Sequence, residues 1–363
     1  MLAERVKQPA VLGELLAGVL IGTSVLGWVR PDNFLNLLAQ IGAIVLLFEA
    51  GVATDYRAFM KVKHWALVVA IIGVCLPLIF GYLVAVLFGF QTLTAIFIGA
   101  TLTATSVGIT VRVFRDLGKS AAREAHIVIG AAVVDDVIGL IILAVVVGLA
   151  TAGSFTFLDL GWITALALFF LVGSLLLGNL AAAPILKFIH QLRVRGLLLI
   201  FSLAFCLLMA YLSQLAGLAP IVGAFAAGLI LSNTEHQEYI NRRIKPIAII
   251  FVPIFFVMMG VAVDVAVFNP FIPANQAVLI LIVLLFLAAV LGKLVSGFAV
   301  REKLDHWAIG VGMVPRGEVG LIFASYGLAH GIVSGQLYAA LLAVIFLTTF
   351  ITPPVLKRLL AGN

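Results

Sequence analysis

Charge is what this chain has least of. Asp, Glu, Lys and Arg make up only 10% of its 363 residues, and 64% are hydrophobic. A soluble domain carries far more polar surface than that, so a water-soluble enzyme or binding module is excluded. Cysteine is nearly absent. Cys75 and Cys206 both lie inside apolar runs, which argues against a disulfide framework or a cysteine metal centre. Period-two alternation is missing from the runs, which excludes an outer-membrane barrel. The N-terminal stretch MLAERVKQPAVLGELLAG has no small-residue cleavage site after a short apolar region, so no removable signal peptide is read. What is present is hydrophobicity in blocks, with a mean hydropathy of +1.25. Apolar segments fall at 9–29, 33–53, 65–89, 92–111, 125–150, 160–189, 196–215, 218–232, 246–263, 275–300, 306–329 and 336–356. The chain therefore reads as an all-α polytopic membrane protein of about 12 transmembrane helices.

The loops test that count. Assigned alternately to two sides, they put 19 of the 22 basic residues on the side of the N-terminus: Arg5, Lys7, Arg57, Lys61, Lys63, Arg112, Arg115, Lys119, Arg123, Lys187, Arg193, Arg195, Arg242, Arg243, Lys245, Arg301, Lys303, Lys357 and Arg358. Arg30 stands alone opposite, and Lys293 and Arg316 lie inside segments. The positive-inside rule then places both termini in the cytoplasm of a multi-pass cell-membrane protein. The net charge of +6 is thereby a topology signal, and no nucleic-acid partner is needed to account for it.

Two stretches repeat. GVATDYRAF from Gly51 and GVAVDVAVF from Gly260 agree at five of nine positions, Asp55 matching Asp264. PAVLGELLAGVLI from Pro9 matches PIVGAFAAGLIL from Pro220, with Gly13, Ala17 and Gly18 falling on Gly223, Ala227 and Gly228. The copies are seven segments apart, and an odd offset makes them cross the membrane in opposite directions. Inverted repeats are the architecture of secondary transporters, whose sites lie near the midplane at broken helices. The repeat also calls for one more helix before Pro9, to match the seventh segment. Two segments look broken. GVGMVPRGEVG (310–320) combines Pro315 with four glycines, and ATLTATSVGIT (100–110) is crowded with hydroxyls. Each of these threonines, taken singly, is expected to back-bond to its own helix. Freed carbonyls and hydroxyls together suit a hard monovalent cation.

Ionisable residues inside the segments are few: Glu14, Glu49, Asp135, Asp136, Lys293, Arg316 and Glu318. A charge at the centre of a membrane helix costs about 2.5–3.5 kcal/mol by insertion scales, so such groups face water or one another. Lys293 is too deep to snorkel, and its cheapest state is paired with a carboxylate. Asp135 and Asp136 point about 100° apart around a helix. One of them is expected to pair with Lys293 and the other to face an aqueous cavity. A carboxylate so placed holds either a proton or a cation, and that competition is sufficient for antiport.

The motifs VVDDVIGL, TATSVGITVRV, LGKLVSGF and VPRGEVGL, in this order, resemble those of NapA-type sodium/proton antiporters. These form part of the monovalent cation/proton antiporter superfamily, and the likeness spans essentially the whole chain. The resemblance implies that Asp136 binds the transported ion and proton, with Thr105 and Ser106 as neighbouring ligands at the crossing of the two broken helices. It implies that Asp135 is the partner of Lys293, and that Arg316 and Glu318 balance the half-helix ends. It implies a core domain (65–150 and 271–363) moving against a dimerisation domain (1–64 and 196–270), joined by a linker at 151–195. A homodimer in the bilayer, carrying Na+ (or Li+ or K+) against H+ electrogenically and without a cofactor, is implied as well. Gly18 and Gly22 form a small-xxx-small pair suited to a dimer helix. Potassium-efflux relatives of the Kef type carry Gln-Asp at the aspartate pair and a nucleotide-binding tail, and neither occurs in these residues. Glu49 replaces an apolar residue expected there, and Glu14 reads equally as a cavity acid or a repeat contact; both roles stay open.

Three other readings fit less. A K+/H+ antiporter of the Kef-like type differs at the aspartate pair. A monovalent cation channel has no use for a lysine beside the site or for inverted repeats. An intramembrane aspartyl protease, the enzyme reading, needs its two aspartates on different helices, whereas Asp135 and Asp136 are neighbours on one. All six histidines fall at segment ends. His126 and His306 read first as interface residues, with cytoplasmic pH sensing as the alternative.

Overall fold

The computed structural model describes residues 10–53, 64–106, 122–152, 196–216 and 218–361, with isolated positions between 110 and 119 and between 161 and 176. Outside the described residues lie Asp55, most of the sixth segment and of the 151–195 linker, and the basic residues Arg5, Lys7, Arg57, Lys61, Lys63, Arg112, Arg115, Lys187, Arg193 and Arg195. Everything regular among the described residues is helix: α1 (Ala10–Ile21), α2 (Asn33–Ala53), α3 (His64–Leu87), α4 (Thr92–Thr101), α5 (Arg123–Ala152), α6 (Leu197–Leu215), α7 (Pro220–Ser232), α8 (Gln237–Val261), α9 (Pro273–Gly297), α10 (His306–Gly312), α11 (Glu318–Ala329) and α12 (Gly335–Ala361), with a 3-10 turn at Val265–Phe268. Seven of these are long and apolar enough to cross a membrane, and three shorter apolar helices lie at 92–101, 220–232 and 319–329. Eleven of the twelve apolar segments thus appear as helix, and the sixth falls outside.

The helices form two compact units, one of Met1–Arg30, Lys61–Gly139 and Met259–Asn363, the other of Pro31–Met60 and Leu140–Met258. In the second unit α7 is packed between α2 and α6. Residues 221–232 are buried without exception, so α7 has no polar face and only 13 residues. Close approach makes this possible. A Cβ on Gly223 would stand 2.0 Å from the Met209 carbonyl oxygen, and one on Gly51 3.0 Å from Gly228 Cα. The helix α8 begins at Gln237, well before the apolar run at 246, because a polar lead continues the same helix. An exposed Glu238–Arg242 pair at 2.9 Å, four residues apart, lies in that lead.

The first unit holds α1, α3, α4, most of α5 and α9–α12. Gly99 sets α4 against α3, since a Cβ there would be 2.4 Å from the Leu78 carbonyl oxygen. The end of α8 meets α1 where a Cβ on Gly260 would stand 2.9 Å from Gly18 Cα. Gly51 with Gly228, and Gly260 with Gly18, are the same pairing with the two repeat copies exchanged. A Cβ on Gly22 would likewise be 2.9 Å from Val261 Cα. The Gly18–Gly22 pair, expected at a dimer contact, is therefore occupied inside the chain. On the basic side, Glu302 accepts from Trp65 Nε1 at 2.9 Å and from Arg123 Nη2 at 2.6 Å, tying the starts of α3 and α5 to the α9–α10 loop.

Two segments break where the sequence marks them. Between α10 and α11, Met313–Gly317 runs without helix, because Pro315 supplies no N–H and Gly317 stands at φ −142°, ψ −140°. The helix α4 ends at Thr101, and Ala104–Ser106 is non-helical, with helical residues again at 110 and 113–114. Val107–Ile109 lie outside the described residues.

The packing glycines give a direct test. Gly223→Ala must push α6 from α7, and overpacking of this kind costs about 1–3 kcal/mol. Gly335→Ala meets nothing within 4 Å. The first variant should melt clearly below wild type in detergent and the second should not; equal melting would contradict the packing described.

Candidate functional site

The helix α5 carries both aspartates near its middle, and α9 brings Lys293 to them. Asp135 and Lys293 are completely buried, and Nζ lies 3.2 Å from both Oδ1 and Oδ2. Of the two arrangements left open by the sequence, the lysine thus takes the first aspartate. Asp136, the next residue round the helix, is half-buried. Its carboxylate and the Arg316 guanidinium both act electrostatically on the same ammonium. The four charges form one cluster in an apolar surround.

The pair is held by its own helices. Gly73 of α3 faces the lysine stem, and the Ser296 hydroxyl donates to the Lys293 carbonyl at 2.6 Å, fixing the turn of α9 that carries it. Taking two charges out of water is costly, and their attraction offsets that cost only in good geometry. Both carboxylate oxygens stand 3.2 Å from Nζ, so the ammonium is shared evenly between them.

The broken segments cross beside this cluster. The Ser106 N–H donates to the Pro315 carbonyl at 2.8 Å. Thr105 Oγ1 donates to Met313 O at 3.2 Å, and Thr110 Oγ1 to Gly312 O at 2.6 Å. Thr101 and Thr103 instead bond back to Phe97 and Ala100 of their own helix, as expected of single threonines. The approach is close enough to require Gly317, where a Cβ would stand 2.5 Å from Ser106 Cβ. Arg316 is 1% exposed; its Nη1 donates to the freed Ala104 carbonyl at 3.0 Å and its Nη2 to the Ala289 carbonyl within α9 at 3.1 Å. The Thr349 hydroxyl donates to the Arg316 carbonyl. A guanidinium at the carbonyl end of a half-helix also opposes its dipole. Glu318 opens α11, and its side chain lies outside the described residues. Ala104, Ala289 and Thr349 carry no sequence signal for these contacts. A backbone carbonyl is the same in every residue, and Thr349 sits in an ordinary apolar run.

Glu14 and Glu49 are half-buried on α1 and α2. Among the described residues no group of three or more His, Cys, Asp or Glu side chains gathers as a metal site. The chemistry on offer is one half-buried carboxylate beside a committed ion pair, with hydroxyl and carbonyl oxygens at an unwound crossing.

The family model described as sodium/hydrogen exchanger, transmembrane, matches residues 1–362. The chain is 38% identical over 395 residues to the high-affinity Na+/H+ antiporter NhaS3 of Synechocystis sp., covering 99% of this chain and 86% of that protein. It is 38% identical over 365 residues to the Na+/H+–K+ antiporter GerN of Bacillus cereus, covering 98% and 91%. Among solved structures, the sodium proton antiporter MjNhaP1 of Methanocaldococcus jannaschii matches with a TM-score of 0.77 at 19% identity, over 99% of this chain and 93% of that one. At that identity the likeness is one of fold.

Removing one member of the buried pair should cost far more than removing both. Asp135→Ala strands the lysine and should lose about 3–5 kcal/mol. Asp135→Ala with Lys293→Met leaves no charge behind and should recover most of that loss. Thermal melting of the two single variants and the double reads the difference, and simple additivity would refute the pairing.

Proposed function

The chain belongs to the sodium/hydrogen exchanger family, and on that footing we propose that it exchanges Na+ for H+ across the membrane by alternating access, with the Asp136 carboxylate holding proton and cation in turn. The observation that carries this is that Lys293 pairs with Asp135 while Asp136, the next residue on α5, is half-buried near the middle of the same helix. Thr105 and Ser106 supply oxygens beside it, and the cation is cargo, with no cofactor involved. The relative GerN is named for K+ beside Na+, which makes K+ the second cation to test.

In this mechanism a cation arriving at Asp136 displaces its proton, and the Lys293–Asp135 pair opens and closes with the occupancy. Lysine then carries one of the exchanged protons, so more protons than sodium ions move and the exchange responds to membrane potential. The elements bearing the site, 65–150 and 271–363, move against 1–64 and 196–270, with 151–195 as linker. Both termini lie in the cytoplasm, supported by the one-sided basic loops. The protein works as a homodimer. Because Gly18 and Gly22 are taken up within the chain, the dimer contact falls to the other face of α1, where Leu16 and Leu20 are more than half exposed.

Two experiments test this. Asp136→Asn keeps the shape but can neither carry nor release a proton. It should abolish ΔpH-driven Na+ flux in proteoliposomes while leaving the fold intact. Asp135→Asn should weaken exchange without eliminating it and make it electroneutral, as in related antiporters with Asn at that position. Flux measured with the potential clamped or imposed by valinomycin and K+ separates the cases. An active Asp136→Asn, or a wild type indifferent to potential, would overturn the assignment. For the dimer, single cysteines replacing Leu16 and Leu20 should crosslink between protomers in membranes, and a uniformly monomeric product would end that part.

A further inference from the structure

Most glycines on the packed faces around the site are explained by what touches them. A Cβ on Gly81 would stand 2.9 Å from Gly99 Cα, one on Gly292 2.7 Å from the Pro77 ring, and one on Gly310 2.5 Å from the Leu294 carbonyl oxygen. Gly73 is different. The nearest atoms to a Cβ there are Lys293 Cδ at 3.4 Å, Lys293 Nζ at 3.5 Å and Ser296 Cβ at 3.6 Å, ordinary contacts with side chains. Sterics do not forbid alanine at this position, and glycine weakens a helix. The backbone at Gly73 therefore needs its own account.

Pro77 supplies one. It lies four residues on, inside α3, where the N–H of residue 77 would return to the carbonyl of residue 73. Proline has no N–H, so that rung of the ladder is missing. Residues 73 and 77 share one face of α3 a turn apart. Pro77 is packed on Gly292, the residue before Lys293, so this face is turned toward the lysine stem. A carbonyl released inside an apolar bundle takes its donor from a neighbouring element. Lys293 has three N–H donors, and its hydrogen bonds run to the two oxygens of Asp135.

We propose that the Gly73 carbonyl is a second acceptor for the Lys293 ammonium, to which the lysine turns when Asp135 is released. Gly73 and Pro77 are then positioning residues. Proline frees the carbonyl, and glycine leaves the space beside Nζ open for the ammonium to reach it. The contact keeps the lysine satisfied while the ion pair is open. This rests on the exchange mechanism proposed above, in which the pair opens during each cycle.

A melting cycle tests the contact without relying on transport. With Asp135 present, Gly73→Ala and Pro77→Ala should each change the melting temperature little. In an Asp135→Ala background, where residue 135 offers the lysine no side-chain acceptor, each should lower it by a further 3 °C or more, roughly. The same single variants should cut the maximal rate of Na+/H+ exchange about fivefold with the apparent Michaelis constant for Na+ within about twofold. Additive melting effects, or wild-type maximal rates in either variant, would overturn the proposal. So would a Gly73→Ala protein that melts as low as Gly81→Ala, since the glycine would then be mere packing. Coupled melting together with a wild type that exchanges no cation would support the contact and refute the exchange mechanism instead.

Discussion

An ammonium enclosed in hydrocarbon must have a carboxylate against it, and the arrangement of the first unit follows from that demand. Lys293 has no route to water, so α9 must hold it where Nζ meets Asp135 of α5. That contact fixes which of two adjacent aspartates is committed. Neighbouring residues on a helix point about 100° apart, so once Asp135 is turned to the lysine, Asp136 is turned elsewhere. The difference between the carboxylate paired with the lysine and its neighbour is thus made by helix geometry. The two side chains are chemically identical.

The second constraint is backbone. Unwinding two helices in a membrane frees carbonyls and N–H groups that no lipid can satisfy. Here the two breaks satisfy one another: Ser106 donates to Pro315, Thr105 and Thr110 donate to Met313 and Gly312, and Arg316 donates to Ala104. This explains why the hydroxyl-rich stretch and the proline-glycine stretch, some 200 residues apart in sequence, belong to one site. The buried guanidinium meets one freed carbonyl, Ala104, and one carbonyl of α9, Ala289.

Much of this was legible in the residues before any coordinates. Long apolar runs locate helices because burial in lipid requires them, and a proline among glycines marks a break because the missing N–H cannot be replaced. Lys293 had to pair with a carboxylate on the same grounds. Other features had no signal to read. The partners of Arg316 are carbonyls, which every residue has. The start of α8 at Gln237 lies beyond the hydrophobic run, where hydropathy stops reporting and helix does not. Gly18 and Gly22 permit close approach but do not say to what, and the answer proved to be Gly260 and Val261 within the chain. Motifs of small residues specify a distance, and only the fold specifies the neighbour.

The formal charges around the site bear on why exchange is favoured over leak. Asp135 and Lys293 cancel, and Arg316 balances an ionised Asp136. In the mechanism proposed above, a proton and a monovalent cation each add one positive charge at Asp136 and so compete for that carboxylate, while the further proton carried by Lys293 makes the exchange electrogenic. Adding both would leave the cluster with two uncompensated positive charges in a low-dielectric surround, where unpaired charge is most costly. On that proposal competition follows from the charge count, with no need for a separate gate that senses which ion is present. A channel would need several loosely held ions passing at once. In the proposed mechanism the Asp136 carboxylate releases its occupant before taking the next, and that requirement would couple the two flows.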